Sequence, residues 1–297
     1  MNETKHSSVP SVAIAIATCN KYAFVLGPQF IMMDRYWPDR SLPIYLSSDC
    51  SLAPYQHIHN IKLIERSGDP GFLDSWVNLL REIPEDYVIV LQEDFIIERP
   101  VNQEVLDGIF HDLHCDPSIA CVRLMPFPPG KGERITPSTV SYTTLIAEQD
   151  YSFSWQLAIW DRLVFIDFME ARIKRGIVKA RKQGHKTIDY RKPKPKPDVY
   201  HYFNPEHHGS ELFTQFPNKK FLCIYSELKM PESGQHAPIS YRPTAVENGQ
   251  VRRWAQKLFE NERVPIKAPP NMLESRGAWL KRMIRNKARR LRTKLPF

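Results

Sequence analysis

Two adjacent acids, Glu93 and Asp94, follow directly on the apolar run Tyr87–Leu91 (YVIVL). Carboxylates side by side repel each other unless a cation lies near them. A hard divalent ion such as Mg2+ or Mn2+ takes oxygen ligands and bridges carboxylate to phosphate. Successive residues of a strand point to opposite faces, so one acid of the pair is expected to reach a ligand. The same two side chains could instead cap the loop or pair with Arg99. Two further apolar runs end in polar clusters: Thr18-Cys19-Asn20 after VAIAIA, and Ser47-Ser48-Asp49 after PIYL. Ligands of open α/β sheets bind outside the carboxyl ends of the strands, where all three clusters would stand. Neither GxGxxG nor GxxxxGK[ST] occurs, and glycine is scarce at 12 residues, which speaks against a Rossmann dinucleotide site and a P-loop. A glycine-poor first turn with Asn and Asp at the strand ends suits recognition of a base and ribose by side chains. A GxSxG elbow is also missing. His201, His207 and His208 cluster with Glu206 and Glu211, at a spacing that fits no zinc pattern; a structural or surface role is expected for the histidines.

The elements that must position these groups follow from the apolar periodicity. Val12–Ala17, Pro43–Leu46, Ile61–Ile64, Tyr87–Leu91 and Ile119–Leu124 read as short buried strands. Between them, apolar residues recur at helical spacing over Tyr22–Tyr36, Phe72–Ile83 and Val101–Leu113, with Trp37-Pro38 closing the first helix. The rhythm β-α-β-β-α-β-α-β over the first 125 residues predicts an α/β fold with a mostly parallel central sheet flanked by helices. The second half is less regular. Residues 139–146 and 151–159 read as strands, the latter leading into a helix from Asp161, and Lys220–Ser226 as a final strand. Lys174–Lys196 is dense in Lys, Arg and Pro and reads as an exposed, mobile insertion. Glu247–Glu260 reads as a helix with Val251, Trp254, Ala255 and Leu258 on one face, and Pro265–Pro270 as a linker. The expected organisation is an α/β domain over 1–262, interrupted by a basic insertion at 171–198, and a linker with a basic helix over 263–297.

Composition sets the bounds on class. With 42% hydrophobic and 25% charged residues, the 297-residue chain has enough apolar content to fold and is neither disordered nor fibrous. No apolar run approaches the roughly 20 residues of a membrane helix. The head MNETKHSSVP lacks the apolar core of a secretory signal, so export is not expected. Five scattered cysteines without a CxxC pair are expected to be reduced thiols. The net charge of +8 is unevenly spread: 275–297 holds nine basic residues and no acid, leaving the rest of the chain at −1. A nucleic-acid-binding core would carry its own charge, so nucleic acid is not an expected partner.

Taken in order, VAIAIATCNKY, YWPDRSLPIYLSSD, DSWVNLLREIPEDYVIVLQEDF, DYSFSWQLAIWDR, NPEHHGSELF and AVENGQVRRWA resemble bacterial GT-A-type glycosyltransferases of surface polysaccharide (lipopolysaccharide or capsule) synthesis, over roughly residues 12–260. The resemblance implies a GT-A-like fold and transfer of a sugar from a nucleotide-sugar donor to a glycan or lipid-linked acceptor. Thr18, Asn20 and Asp49 would line the nucleotide pocket, and Asp69 and Trp76 would help to shape it. Gln92-Glu93-Asp94 stands where such enzymes carry a DxD-type motif; Asp94 would hold Mg2+ or Mn2+ on the diphosphate, with Glu93 on the donor side. Gln92 at the first position departs from that motif. Ser154, Trp155 and Gln156 would lie under the donor sugar or the acceptor. Glu206 looks like the catalytic base of an inverting member, with Glu211 as its rival. A nucleotidyltransferase on a similar scaffold, or a non-catalytic nucleic-acid-binding protein using the basic tail, are the alternatives.

In the tail, Leu280, Met283, Ile284 and Leu291 form a helical stripe among basic residues, interrupted by Lys287. This pattern fits a basic amphipathic helix on an anionic membrane surface. The expected location is cytoplasmic, peripheral on the inner face of the cell membrane.

Overall fold

The computed structural model describes residues 10–68, 71–185, 201–228, 236–242, 244–247 and 249–292. Its centre is a nine-stranded sheet. In chain order the strands are β1 (Val12–Ala17), β2 (Ile44–Ser48), β3 (Ile61–Glu65), β4 (Tyr87–Val90), β5 (Ile119–Arg123), β6 (Arg134–Ile135), β7 (Tyr142–Thr144), β8 (Ala158–Asp161) and β9 (Lys220–Ile224). They lie side by side as β3-β2-β1-β4-β8-β5-β9-β7-β6. The β3-β2-β1-β4 half is parallel throughout. β8 runs antiparallel between β4 and β5, with Val90 opposite Ala158 and Tyr87 opposite Asp161. β5 and β9 resume the parallel direction, and β7 and β6 close the edge as antiparallel neighbours. The chain is therefore α/β with a mostly parallel central sheet flanked by helices, and the rhythm of its first 125 residues is the one expected from the sequence.

The principal helices are α1 (Leu26–Tyr36), α2 (Phe72–Glu82), α3 (Gln103–Cys115), α4 (Arg162–Lys182), α5 (Ser210–Gln215), α6 (Arg253–Asn261) and α7 (Arg276–Arg292). Strand β1 shows why the layers form. Val12, Ile14 and Ile16 point into one core with Phe30 and Met33 of α1 and Leu106 and Ile109 of α3. Ala13, Ala15 and Ala17 point into the opposite core, beneath Trp76 and Leu80 of α2 and Phe165 and Phe168 of α4. The small residues leave room for the large aromatics, and each fully buried Ile adds about 1.5–3 kcal/mol. Polar caps fix the helix starts. Asn102 accepts from Val105 N–H at 3.1 Å before α3, and Asp161 accepts from the Leu163 and Val164 N–H groups at 3.1 Å before α4.

Three regions depart from the sequence expectation. Residues 150–157 are turns and irregular chain, and only 158–161 pairs as a strand; likewise 139–146 contributes just β7. The basic stretch expected as a mobile insertion is the second half of α4 as far as Lys182, because Arg172, Gly176 and Ala180 continue the helix's buried stripe at four-residue spacing. Residues 186–198 of that stretch lie outside the described residues. Val251, expected on a helix, lies in a two-stranded hairpin of β10 (Val246–Glu247) and β11 (Gln250–Val251), and α6 begins only at Arg253. Gly249 at φ +77 makes the turn possible. The hairpin, α6 and the 264–273 segment form a third apolar cluster against Val25, Met32 and Ile96.

Candidate functional site

The parallel strands β1, β2 and β4 end on the same side of the sheet, where the polar loops after β1 and β2 are bound to each other. Thr18 N–H donates to the Ser47 carbonyl at 2.9 Å, and Asn20 N–H donates to Asp49 Oδ1 at 2.6 Å. After β3, Arg66 Nη2 donates to the Thr18 carbonyl at 2.7 Å. Cys19 lies at the junction. Its thiol is pushed up by burial and by the negative charges of Glu93 and Asp49, against hydrogen bonds from the Tyr22 and Lys21 backbone.

The acid pair is carried on a tight turn. Leu91 N–H extends the ladder to the Ala15 carbonyl at 3.0 Å, and Phe95 N–H closes the turn on the Gln92 carbonyl at 3.1 Å. Fully buried Gln29 of α1 donates from Nε2 to that same carbonyl at 2.7 Å. Asp94 is buried; its backbone carbonyl accepts from Ala245 N–H and its Oδ2 from Val246 N–H, both at 3.3 Å. Burial and the neighbouring Asp94 push the Glu93 carboxyl up to about 8, and burial pushes Asp94 up to about 6 against the Val246 hydrogen bond. Both shifts mark a site that disfavours its own charge and would be relieved by a cation.

Trp155 connects this turn to Glu206. The Gln92 side chain donates to the Trp155 carbonyl at 3.3 Å, and Trp155 N–H donates to Glu206 Oε1 at 3.2 Å. The half-buried indole sits in an aromatic box with Phe72 at 4.7 Å, Phe153 at 5.3 Å, Phe165 at 6.0 Å and Trp76 at 6.2 Å between ring centroids. Glu206 sits on a 3-10 turn (Pro205–His208) that begins with Pro and is capped by Asn204, whose Oδ1 accepts from Glu206 N–H at 3.1 Å. Gly209 ends that turn against the Phe153 backbone and the Ser152 hydroxyl, where a Cβ would collide with both.

Glu206 opens into a pocket of about 430 Å³ shared with Ser154, Gln156, Asp150, Tyr151 and the loop Met125–Pro129. Gln156 Oε1 accepts from the buried Tyr241 hydroxyl at 2.7 Å, and that hydroxyl accepts from Leu157 N–H at 2.9 Å. The far wall depends on Arg123, at the end of β5, whose buried guanidinium donates to the Tyr151 carbonyl at 3.0 Å and to the Pro128 carbonyl. One cation thereby fixes both loops of the pocket. Tyr151 is held at φ +57, which bulky residues seldom adopt, with its ring half exposed. Phe127 is also exposed at the rim.

Of the residues singled out in the sequence, Thr18, Asn20, Asp49, Glu93 and Asp94 lie on the strand-end shelf, and Ser154, Trp155, Gln156 and Glu206 on the adjoining segment. Asp69 lies outside the described residues. Trp76 has no exposed surface; it buttresses Trp155 from the core rather than lining a pocket, because its position on α2 faces the alanines of β1. Glu211 is committed elsewhere. Arg172 contacts both its oxygens at 2.8 and 2.7 Å and Arg175 adds a bond at 2.5 Å, so that despite partial burial its carboxyl is held below the usual range. His208 packs against the same pair, with burial lowering its affinity for a proton. Cys19 was singled out only as part of the cluster Thr18-Cys19-Asn20, and Gln29, Arg123 and Tyr241 were not evident from sequence, because only the fold gives them their partners.

Among the described residues no three His, Cys, Asp or Glu side chains are placed together to hold a metal ion. Glu93 and Asp94 supply two oxygen-donor side chains, a set that fits a divalent ion taking its remaining ligands from phosphate and water.

No known protein family matches the chain, and no curated protein matches it. Among solved structures, S. aureus TarS is similar at 12% identity and a TM-score of 0.44, over 76% of this chain and 40% of TarS. The 1–349 piece of TarS is matched over 48% of its length, so the chain spans about half or less of these relatives. A cytidylyltransferase from Leptospira borgpetersenii serovar Hardjo-bovis is 10% identical, with a TM-score of 0.40 over 75% of this chain and 79% of that one. The mannosyltransferase PcManGT from Pyrobaculum calidifontis, solved with GDP-Man and Mn2+, is 11% identical, with a TM-score of 0.35 over 70% of this chain and 74% of its own. Likeness of this degree assigns no activity to the chain.

Proposed function

We propose that the chain is a glycosyltransferase that moves a sugar from a nucleotide-sugar donor to a hydroxyl of a glycan or lipid-linked acceptor. The observation that carries this reading is the double attachment of Trp155, which joins the turn bearing Glu93 and Asp94 to Glu206 within one hydrogen-bonded unit. An acidic turn beside nucleoside-suited strand ends and a carboxylate in a separate pocket are the two centres that sugar transfer needs.

In this reading Thr18, Asn20 and Asp49 hold the base and ribose, and Asp94 with Glu93 holds Mg2+ or Mn2+. That ion, when bound, would offset the charge of the departing diphosphate. Glu206 keeps one carboxylate oxygen on Trp155 N–H and has the other for an acceptor hydroxyl. It takes the hydroxyl proton as the acceptor oxygen bonds to the anomeric carbon; the bond from that carbon to the diphosphate breaks, and the diphosphate leaves with the electron pair. Attack from the face opposite the leaving group inverts the anomeric centre. The mixed pocket, with Tyr151 and Phe127 as exposed rings and Asp150 and Gln156 as polar groups, suits a sugar ring, which has both apolar and hydroxyl faces.

The test is a thermal-shift panel of nucleoside diphosphates, nucleoside triphosphates and nucleotide sugars with and without Mn2+. A ligand at a hundredfold excess over its Kd stabilises the native state by about 2.7 kcal/mol. A shift with one diphosphate and its sugars, enhanced by Mn2+, supports the proposal. A shift confined to triphosphates, with pyrophosphate released on turnover, replaces it with nucleotidyl transfer.

A further inference from the structure

Helix α7 leaves the body with an apolar stripe that nothing in the described structure covers. Leu280, Met283 and Ile284 are 53%, 47% and 62% exposed, positions that adjoin one another on a helix. The opposite side is the anchored one. Arg282 donates from Nε and Nη2 to the two carboxylate oxygens of Glu274, both at 2.8 Å. Position 282 lies about 160° around the helix from position 284, so the contact that roots α7 turns Leu280, Met283 and Ile284 away from the body. Glu274 is itself buried, accepting also from Arg253 N–H at 3.0 Å. The root of the helix is thus tied to the body through Glu274, and the stripe lies on the side away from that tie.

Charge decides what would cover this face. The segment 275–297 contains nine Lys and Arg and no acid. A second copy of the chain would bring the same charges into contact, which is costly. RNA would satisfy the charge and leave the apolar side chains in water. An anionic lipid surface satisfies both, since the headgroups meet the basic flanks and the acyl boundary takes the apolar stripe.

We propose that α7 is a docking surface for anionic membrane and that Glu274 fixes the angle at which the body sits on it. The hydrogen bonds continue inward: Glu274 N–H donates to the Val251 carbonyl at 3.0 Å, Arg252 N–H to Ala245 at 2.7 Å, and Ala245 N–H to the Asp94 carbonyl at 3.3 Å. Docking and the acidic turn thus share one support. This proposal does not depend on the chain being a glycosyltransferase.

The full chain is sedimented with vesicles of phosphatidylglycerol and phosphatidylethanolamine, and with phosphatidylcholine vesicles as the neutral comparison. Binding is expected to the anionic vesicles, weakened by salt, and to fall about tenfold or more in L280S/M283S/I284S. All three side chains are exposed, so the variant should melt at the wild-type temperature, which is checked alongside. Equal binding of variant and wild type, or equal binding to neutral vesicles, overturns the proposal. So does tight binding of a short single-stranded RNA by both forms without any vesicle binding. A concentration-dependent dimer that the variant abolishes, again without vesicle binding, assigns the face to a second copy instead.

Discussion

Glu206 Oε1 accepts the backbone N–H of Trp155 at 3.2 Å, so the carboxylate is oriented by the main chain rather than by another charged side chain. A backbone donor holds the carboxylate in place without an ion pair among the described residues. Glu211, five residues on, shows the contrast, since Arg172 and Arg175 take up its oxygens and hold its carboxyl down.

Glu206→Gln retains an oxygen for Trp155 N–H and should leave the fold and donor binding unchanged. The rate of transfer should fall about 10²- to 10⁴-fold, the usual contribution of a general base. Steady-state kinetics beside a donor thermal shift checks this. Full activity in the variant would reduce Glu206 to a structural cap.

Glu211→Gln should instead destabilise the protein with little change in the rate per folded molecule. Removing one partner of a buried pair strands the other charge. Because Glu211 is about a quarter exposed, the expected loss is roughly 1–3 kcal/mol, below that of a fully buried pair. Urea unfolding gives the loss, and activity at low temperature gives the rate.

The acid pair predicts an unusual pH dependence in chelator. The folded state keeps protons on Glu93 up to about 8 and on Asp94 up to about 6, whereas the unfolded chain releases them near the ordinary 4.5 and 3.8. Between those limits the native state binds more protons than the unfolded state, so stability falls as pH rises. The melting temperature of wild type should decline from about pH 5 to pH 8 more steeply than that of Glu93→Gln. Mn2+ with a nucleoside diphosphate should remove most of the decline, and should bind more tightly toward pH 8, where the carboxylates are deprotonated. A decline identical in the Gln variant would exclude Glu93 as its source.

Trp76→Ala and Trp155→Ala should separate core from site. Trp76 is fully buried, so its loss should cost about 3–5 kcal/mol, whereas half-buried Trp155 should cost less stability and more catalysis. Chemical denaturation and kinetics on the same two proteins test the division. Equal losses of stability would contradict it.

The first half of the fold was legible because its strands are continuous apolar runs and its helices carry clear stripes: VAIAIA and YVIVL permit no other placement. The second half was harder for physical reasons. In α4 the buried stripe passes through Arg172, Gly176 and Ala180, which carry little apolar signal, while Lys and Arg crowd the exposed side. At 246–251 a two-residue pairing on either side of Gly249 is too short to show alternation. What was legible of the candidate site is the position of Asn20, Asp49 and Asp94 at the strand ends. Arg123 was not, because a buried guanidinium serving two carbonyls 5 and 28 residues away leaves no local pattern. The full burial of Trp76 was not legible, because a tryptophan on a helix reads alike whether it lines a cleft or buttresses a neighbour such as Trp155.

The reversed strand β8 has a wider effect. Every parallel strand delivers its outgoing loop to the ligand edge and takes its incoming loop from the far side. Running the other way, β8 brings its incoming segment, Ser154–Leu157, to the edge where its neighbours finish, and Ala158 enters the sheet beside Val90. The long stretch between β5 and β8 therefore both starts and ends at the ligand edge. Within it β7 pairs with β9 and β6 with β7, so it is the connections around these two strands that can change in length without disturbing the order or direction of the strands. If the chain is the glycosyltransferase proposed above, those connections are where acceptor choice would diversify among related chains while the strand ends that face the donor stayed the same.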